Sequence, residues 1–257
     1  MKTSNQLLVV SYGGGTNSTA MLIGLHDRGI RPDAILFADT GGEKPATYAH
    51  INAMQKWLGK NDFPLITIVK KVDLNGDVLT LEENCLRKKM LPSVAYGFKT
   101  CSQKYKAQPQ EKWSNNWKPA KDFWKEGKRI TKVIGFDADE PQRADKDYSC
   151  MKYAYWYPLL AWNWGRDECV QVIERAGLPQ PGKSSCFYCP NARPSEIREL
   201  NALHPDLMAR ALAMEANAEL TTLKGLGRGH YAWKAVIATD EMFSYPSQEM
   251  PCDCYDG

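Results

Sequence analysis

A chain of 257 residues with a net charge of +3 and 43% hydrophobic residues has room for one large α/β domain, or a core with a small appended lobe. So small a charge announces no nucleic-acid or membrane partner by itself. No apolar run approaches the ~20 residues of a membrane span, and Met1 to Gln6 holds no apolar signal core, so a cytoplasmic protein is expected.

Leu7 to Val10 is a run of branched apolar residues and predicts a buried strand. Gly13, Gly14 and Gly15 then turn the chain, and Thr16-Asn17-Ser18 opens an apolar helix that Gly29 can end. Ala34 to Ala38 predicts a second strand, closed by Asp39-Thr40-Gly41-Gly42-Glu43, and Pro45 starts a helix to about Leu58. Leu65 to Val69 predicts a third strand, Asp77 to about Leu91 a helix, Val133 to Phe136 a fourth strand and Tyr155 to Leu159 a fifth. Beyond Gly165 the pattern is helical, over Asp167 to Ala176, Pro194 to Leu203 and Pro205 to about Leu223. The tail from Asp240 lacks periodicity. Alternating strands and helices imply a Rossmann-like, mostly parallel five-stranded α/β sheet with helices on both faces. The expected division is 1–164 for that domain and 165–257 for a helical, cysteine-containing lobe and tail.

The chemistry-bearing residues fall at strand ends, where open parallel sheets bind ligands. Three glycines let backbone N–H groups approach an anion, and the helix behind them adds unpaired donors and a favourable dipole. Neither G-x-x-x-x-G-K-[ST] nor G-x-G-x-x-G is present. Gly13-Gly14-Gly15-Thr16-Asn17-Ser18 resembles the S-G-G-x-D-S loop of the PP-loop ATP pyrophosphatases, a superfamily that includes the sulfonucleotide (PAPS) reductases and the DNA phosphorothioation ATP pyrophosphatase. Gly14, Gly15 and Ser18 match. Gly13 stands for serine and Asn17 for aspartate, though Asn17 can still cap the helix.

Two more segments resemble the same superfamily. Asp39-Thr40-Gly41, followed by Ala46-Thr47-Tyr48, is similar to D-T-G-x-x-x-x-E-T, with Ala46 departing. Gly135-Phe136-Asp137-Ala138-Asp139-Glu140-Pro141-Gln142-Arg143 is similar to G-x-R-x-x-E-S-x-x-R, with Asp137 in place of arginine and Pro141 of serine. The resemblance implies an adenine nucleotide, ATP or PAPS, held with Mg²⁺ by Ser11, Gly13, Gly14, Gly15, Asn17, Ser18, Thr19, Asp39, Thr40, Gly41, Gly135, Glu140 and Arg143. It makes Asp39, Ser18 and Arg143 the catalytic candidates, Asp39 as a metal or substrate contact. Arg143 offers a planar charged fork to a phosphate or sulfate. Arg228, between Gly227 and Gly229, is a candidate to close over the anion from the helical lobe.

Eight cysteines in a chain this long are too sparse for a secreted disulfide scaffold and read as thiols or metal ligands. Cys186-Phe187-Tyr188-Cys189 spaces two thiolates for one tetrahedral centre, zinc or iron–sulfur. A redox dithiol and two inert buried thiols are the alternatives. Cys101 resembles the cysteine before the R/K-K-x-x-P element of the iron–sulfur PAPS reductase-like enzymes, which implies a [4Fe-4S] cluster or Zn²⁺ on Cys101, Cys186 and Cys189. The fourth ligand is left among Cys150, Cys169, Cys252 and Cys254. Cys85 falls in a predicted helix and reads as packing.

From Gln103 to Val133 nine cations face three anions, a local net charge of +6, with Trp113, Trp117, Phe123 and Trp124 interleaved. About 103–132 is therefore either a nucleic-acid surface or an amphipathic insertion with packed tryptophans and solvated lysines. The preferred reaction is cleavage of ATP to AMP and pyrophosphate, activating a substrate for sulfur or nitrogen transfer. The alternatives are a sulfonucleotide reductase releasing sulfite and a non-catalytic, metal-clamped nucleotide or nucleic-acid binder. A homo-oligomer is left open.

Overall fold

Strands β1 (Leu8–Ser11), β2 (Ala34–Asp39), β3 (Ile66–Lys70), β4 (Ile130–Ile134) and β5 (Tyr153–Trp156) form one all-parallel sheet in the order β3-β2-β1-β4-β5. The computed structural model describes residues 6–92, 100–145, 149–221, 224–227 and 231–239. Side chains alternate across the pleat. Leu8, Val10, Ile35, Phe37 and Val133 enter one core, while Leu7, Val9, Ala34, Leu36 and Ile130 enter another on the opposite face. The near-continuous apolar strands follow from this cover on both sides.

Helices α1 (Thr16–Asp27), α2 (Pro45–Lys60) and α7 (Arg166–Arg175) supply the first face through Met21, Leu22, Leu25, Met54, Leu58, Val172 and Ile173. The second face is covered by the crossover between β3 and β4, which carries α4 (Gln108–Asn116) and α5 (Lys118–Lys125). Ala120 is fully buried there, with Trp113, Trp117, Phe123 and Trp124 packed around it. Trp113 and Trp117 lie 5.0 Å apart, and the Trp124 indole donates to the Lys152 carbonyl. Lys112, Lys118, Lys121 and Lys125 stay exposed. This is the geometry of the packed insertion.

A second core lies beside the sheet. It joins α3 (Leu81–Arg87), Tyr105, Phe187, Tyr188, α8 (Pro194–Leu203), α9 (Pro205–Asn217) and α10 (Trp233–Ala238). The cores do not divide at residue 164. Helix α7 packs on α1 in the first core, whereas α3 and Tyr105 from the sheet half belong to the second.

Several predicted elements shift: β4 begins at Ile130 rather than Val133, and α9 ends at Asn217 rather than about Leu223. Residues 71–79 fold back on themselves through a Val72–Val78 bridge, and a reciprocal cap between Thr80 and Glu83 starts α3 at Leu81 rather than Asp77. The helix is over by Lys89, which adopts φ +48°. The last strand ends at Trp156, because Pro158 opens the short helix α6 (Pro158–Ala161). Among the described residues no helix is long and apolar enough to cross a membrane.

Candidate nucleotide and thiol site

The sheet order reverses at β1, whose neighbours are β2 on one side and β4 on the other, and open parallel sheets take ligands beyond the carboxyl ends of the strands at such a point. The glycine loop lies there. Gly14 has φ +78°, a left-handed backbone, and an added Cβ would stand 3.1 Å from the Thr47 methyl. Gly15 is the N-cap of α1 and has no side chain with which to bond the first N–H groups of that helix. Ser18 braces the turn: its hydroxyl accepts from the Gly13 N–H and donates to the Gly15 carbonyl, both at 3.2 Å. Gly135 follows β4 and brings the chain against this turn, where a Cβ would lie 3.1 Å from Ser18 N and 3.2 Å from the Asn17 carbonyl.

Asn17 does not cap α1. It lies within the helix and donates its amide to the buried Asp137 carboxylate at 2.7 Å, while Arg166 donates to the Asn17 oxygen at 3.3 Å. The two departures from the resembled motifs, Asn17 and Asp137, are thus one hydrogen-bonded pair. Asp137 Oδ1 is buried with no hydrogen-bond partner among the described residues. Burial above all, then the Glu140 and Asp139 charges, holds this carboxyl above the ordinary aspartate range against the pull of Asn17 and Arg166. A raised carboxyl keeps its proton in the fold at a pH where the unfolded chain has lost it. Its contribution to stability therefore falls as pH rises from about 4 through the raised folded value. Asp137→Asn should flatten that loss in thermal melts between about pH 4 and 8; an unchanged slope would place the titration elsewhere.

At the end of β2, Asp39 is buried and fully engaged. Its Oδ1 accepts from the Gly41 N–H and the Tyr48 hydroxyl at 2.8 Å each, and its Oδ2 lies 3.2 Å from Lys70 Nζ. Beyond β4, Arg143 donates to Glu140 at 2.7 Å and sits 4.3 Å over the Phe136 ring. Ser11 and Thr19 turn away from the loop. The Ser11 hydroxyl donates to Gln110 at 2.6 Å, and Thr19 meets His50 at 2.9 Å and Tyr12 at 3.2 Å inside the core.

The loop after Asp39 is joined to the Cys186–Cys189 turn. Glu43 and Cys186 form an antiparallel bridge, and the Phe187 N–H donates to the Gly42 carbonyl at 2.8 Å. Thr40 Oγ1 lies 3.0 Å from Cys186 Sγ, and the buried Glu43 Oε1 is 3.9 Å from that sulfur and 3.7 Å from Lys106 Nζ. Cys101, Cys186, Cys189, Thr40 and Lys106 line one hollow of about 30 Å³. Burial, then the Glu43 carboxylate, pushes the Cys186 thiol well up, while Lys106 and Thr40 pull it back. The three thiols are soft donors suited to zinc or iron–sulfur. Among the described residues, however, no group of three His, Cys, Asp or Glu stands ready-spaced for a metal ion.

The other cysteines lie elsewhere. Cys169 is buried on α7 in the first core and pushed to about 12 by burial, and Cys150 is exposed before β5, the far edge strand. Neither lines the thiol hollow. Cys85 packs in α3 as expected. Arg228, Cys252 and Cys254 lie outside the described residues. Sequence reasoning gave no role to Lys70, Tyr48, Lys106 or Arg166. Tyr48 stood inside a resembled motif, and Lys106 five residues after Cys101, but no spacing rule marks Lys70 or Arg166.

The fold class is therefore α/β, a five-stranded parallel sheet with helices on both faces. No family model matches the chain, and no curated protein matches it. Among solved structures, it is similar to the U34-tRNA thiolase NcsA from Methanococcus maripaludis with its [4Fe-4S] cluster, at 16% identity and a TM-score of 0.45 over 83% of this chain and 73% of that one. At that distance the likeness assigns this chain neither activity nor ligand.

Proposed function

We propose that this chain is a PP-loop adenine-nucleotide enzyme that cleaves ATP to AMP and pyrophosphate, activating a substrate for sulfur or nitrogen transfer. The observation that carries the reading is the glycine turn at the N-terminus of α1, set at the point where the strand order reverses and closed from the other side by Gly135. In the proposed reaction a nucleophilic oxygen of the substrate attacks the α-phosphorus, the bond to the bridging oxygen breaks, and pyrophosphate leaves. Backbone N–H groups of the glycine turn hold the leaving diphosphate, and Ser18 keeps that turn in shape.

Mg²⁺ is a hard cation that takes oxygen ligands, and the unpartnered Asp137 Oδ1 meets that demand, whereas both oxygens of Asp39 are already engaged by Gly41, Tyr48 and Lys70. When bound, the ion offsets phosphate charge. Cys101, Cys186 and Cys189 would hold a zinc ion or an iron–sulfur cluster, which would supply a soft centre for sulfur. Glu43 can take the Cys186 proton that such binding releases, and Lys106 stabilises the resulting charge.

Incubation with labelled ATP and Mg²⁺ should yield AMP and pyrophosphate. Asp39→Asn should lower turnover at least about tenfold, while its unfolding free energy drops by only about 1–3 kcal/mol, because the Gly41 N–H and Tyr48 keep the amide oxygen as acceptor and the half-exposed Lys70, which loses its carboxylate, can turn to water. Sulfite release from PAPS with thioredoxin would replace this reading by the reductase. Nucleotide binding without product would replace it by a binding protein.

A further inference from the structure

A second hollow, about 230 Å³, lies next to the thiol hollow and shares Leu81, Pro92 and Cys101 with it. Its wall brings together three lysines from three separate segments. Lys71 follows β3, Lys88 follows α3, and Lys104 projects from a π-helical stretch, Ser102–Ala107. The same stretch sends Lys106 to the thiol hollow, so one local widening of the helix serves both. Among the described residues none of these three lysines has an ion-pair partner, and no carboxylate lines the hollow. Lys71 Nζ rests 4.6 Å from the Tyr105 ring. Burial, then the charges of Lys104 and Lys88, draws the Lys71 ammonium below its ordinary range, so the three cations act on one another.

Holding like charges together disfavours the empty fold and favours an anion that bridges them. Asn84, Thr100 and Gln108 add neutral hydrogen-bonding groups around the same space. Lys118 and Lys125 of α5, by contrast, both pair with Asp122. The trio instead lines one concavity with the thiols Cys85 and Cys101.

We propose that this hollow binds a phosphate group of the acceptor substrate, placing the atoms attached to that phosphate at Cys101 and the thiol hollow. The inference rests on the proposed transfer chemistry and names its substrate class as a phosphate-bearing molecule. The phosphate is either a terminal monoester or a diester of a single-stranded nucleic acid.

The test uses the full-length protein without ATP, so failure of ATP cleavage leaves its outcome untouched. Fluorescence anisotropy follows a 5′-fluorescein single-stranded oligoribonucleotide at low salt, with AMP and inorganic phosphate as competitors. The Lys71→Gln/Lys88→Gln/Lys104→Gln variant should bind the oligonucleotide at least tenfold more weakly. Its slope of log affinity against log salt should become shallower by about 2, the release expected from three single-strand phosphate contacts. Should the triple variant not fold, Lys88→Gln and Lys104→Gln, both exposed, should each weaken binding severalfold. Displacement by AMP or inorganic phosphate at concentrations comparable to the oligonucleotide identifies a monoester, and displacement by unlabelled oligonucleotide alone identifies a diester. Binding that survives the lysine changes, or that is lost instead in Lys118→Gln/Lys121→Gln/Lys125→Gln, overturns the proposal, as does a wild-type protein that binds none of the three probes.

Discussion

Replacing Gly135 by valine should reduce ATP affinity on the order of 100-fold, the ~2.7 kcal/mol that loss of an aligned anion donor costs. The argument is steric. The new Cβ would meet Ser18 N at 3.1 Å and the Asn17 carbonyl carbon and oxygen at 3.2 Å. These are backbone atoms at the start of α1 and cannot rotate aside as a side chain would. The turn must move, and the N–H groups that would face a diphosphate move with it. Overpacking of this kind costs roughly 1–3 kcal/mol of stability. Gly177→Ala separates the two effects. Gly177 has φ +68° with open space around it, so alanine there costs roughly 1–2 kcal/mol through backbone strain and leaves the loop untouched. Calorimetric titration of both variants with ATP should therefore show lost binding only in the first. A folded Gly135→Val protein with wild-type affinity would remove the loop from the nucleotide site.

The second large effect is expected at Cys186. Serine there preserves a polar contact to Thr40 and the backbone bridge to Glu43, so the fold should lose less than about 1 kcal/mol. Hydroxyl oxygen is a poor substitute for thiolate at a soft metal. Because loss of a mere outer partner already lowers metal affinity about 10–100-fold, removing a ligand should lower it by at least as much. Metal analysis and an absorption spectrum of anaerobically purified protein read the result. An equal metal content in wild type and Cys186→Ser would leave the thiols as a redox or packing pair. Glu43→Gln provides the complementary sign: removing the charge that raises the thiol should increase its alkylation rate by iodoacetamide near neutral pH.

Local pattern made the sheet and its first loop legible. The run Leu7 to Val10 and the three glycines are contiguous, and β2, α2 and α8 begin where the sequence marks them. Legibility failed where a neighbouring turn or proline set an element's limits. The fold-back of 71–79 delayed the start of α3, and β5 ended at Trp156, two residues before Pro158 opens α6. In the site, resemblance picked out Cys101 with Cys186 and Cys189, and the three do line one hollow. Asn17 and Asp137 read as two unrelated departures, because no local rule joins a residue in the first turn of α1 to one after β4; their hydrogen bond makes them one pair. The pairing of Glu43 with Lys106 was hidden for the same reason. The tryptophans of α4 and α5 could be assigned to packing only once the second face of the sheet was known to need cover.

The interlacing of the two cores carries a consequence for biosynthesis. Leu81, Cys85 and Tyr105 leave the ribosome long before α8, α9 and α10, the helices that shield them. Until those arrive, the nascent polypeptide displays an unshielded oily seam beside a sheet already able to close. Cutting the gene after codon 164 would make that display permanent and would also strip α7 from α1. The two halves are one folding unit written in two instalments.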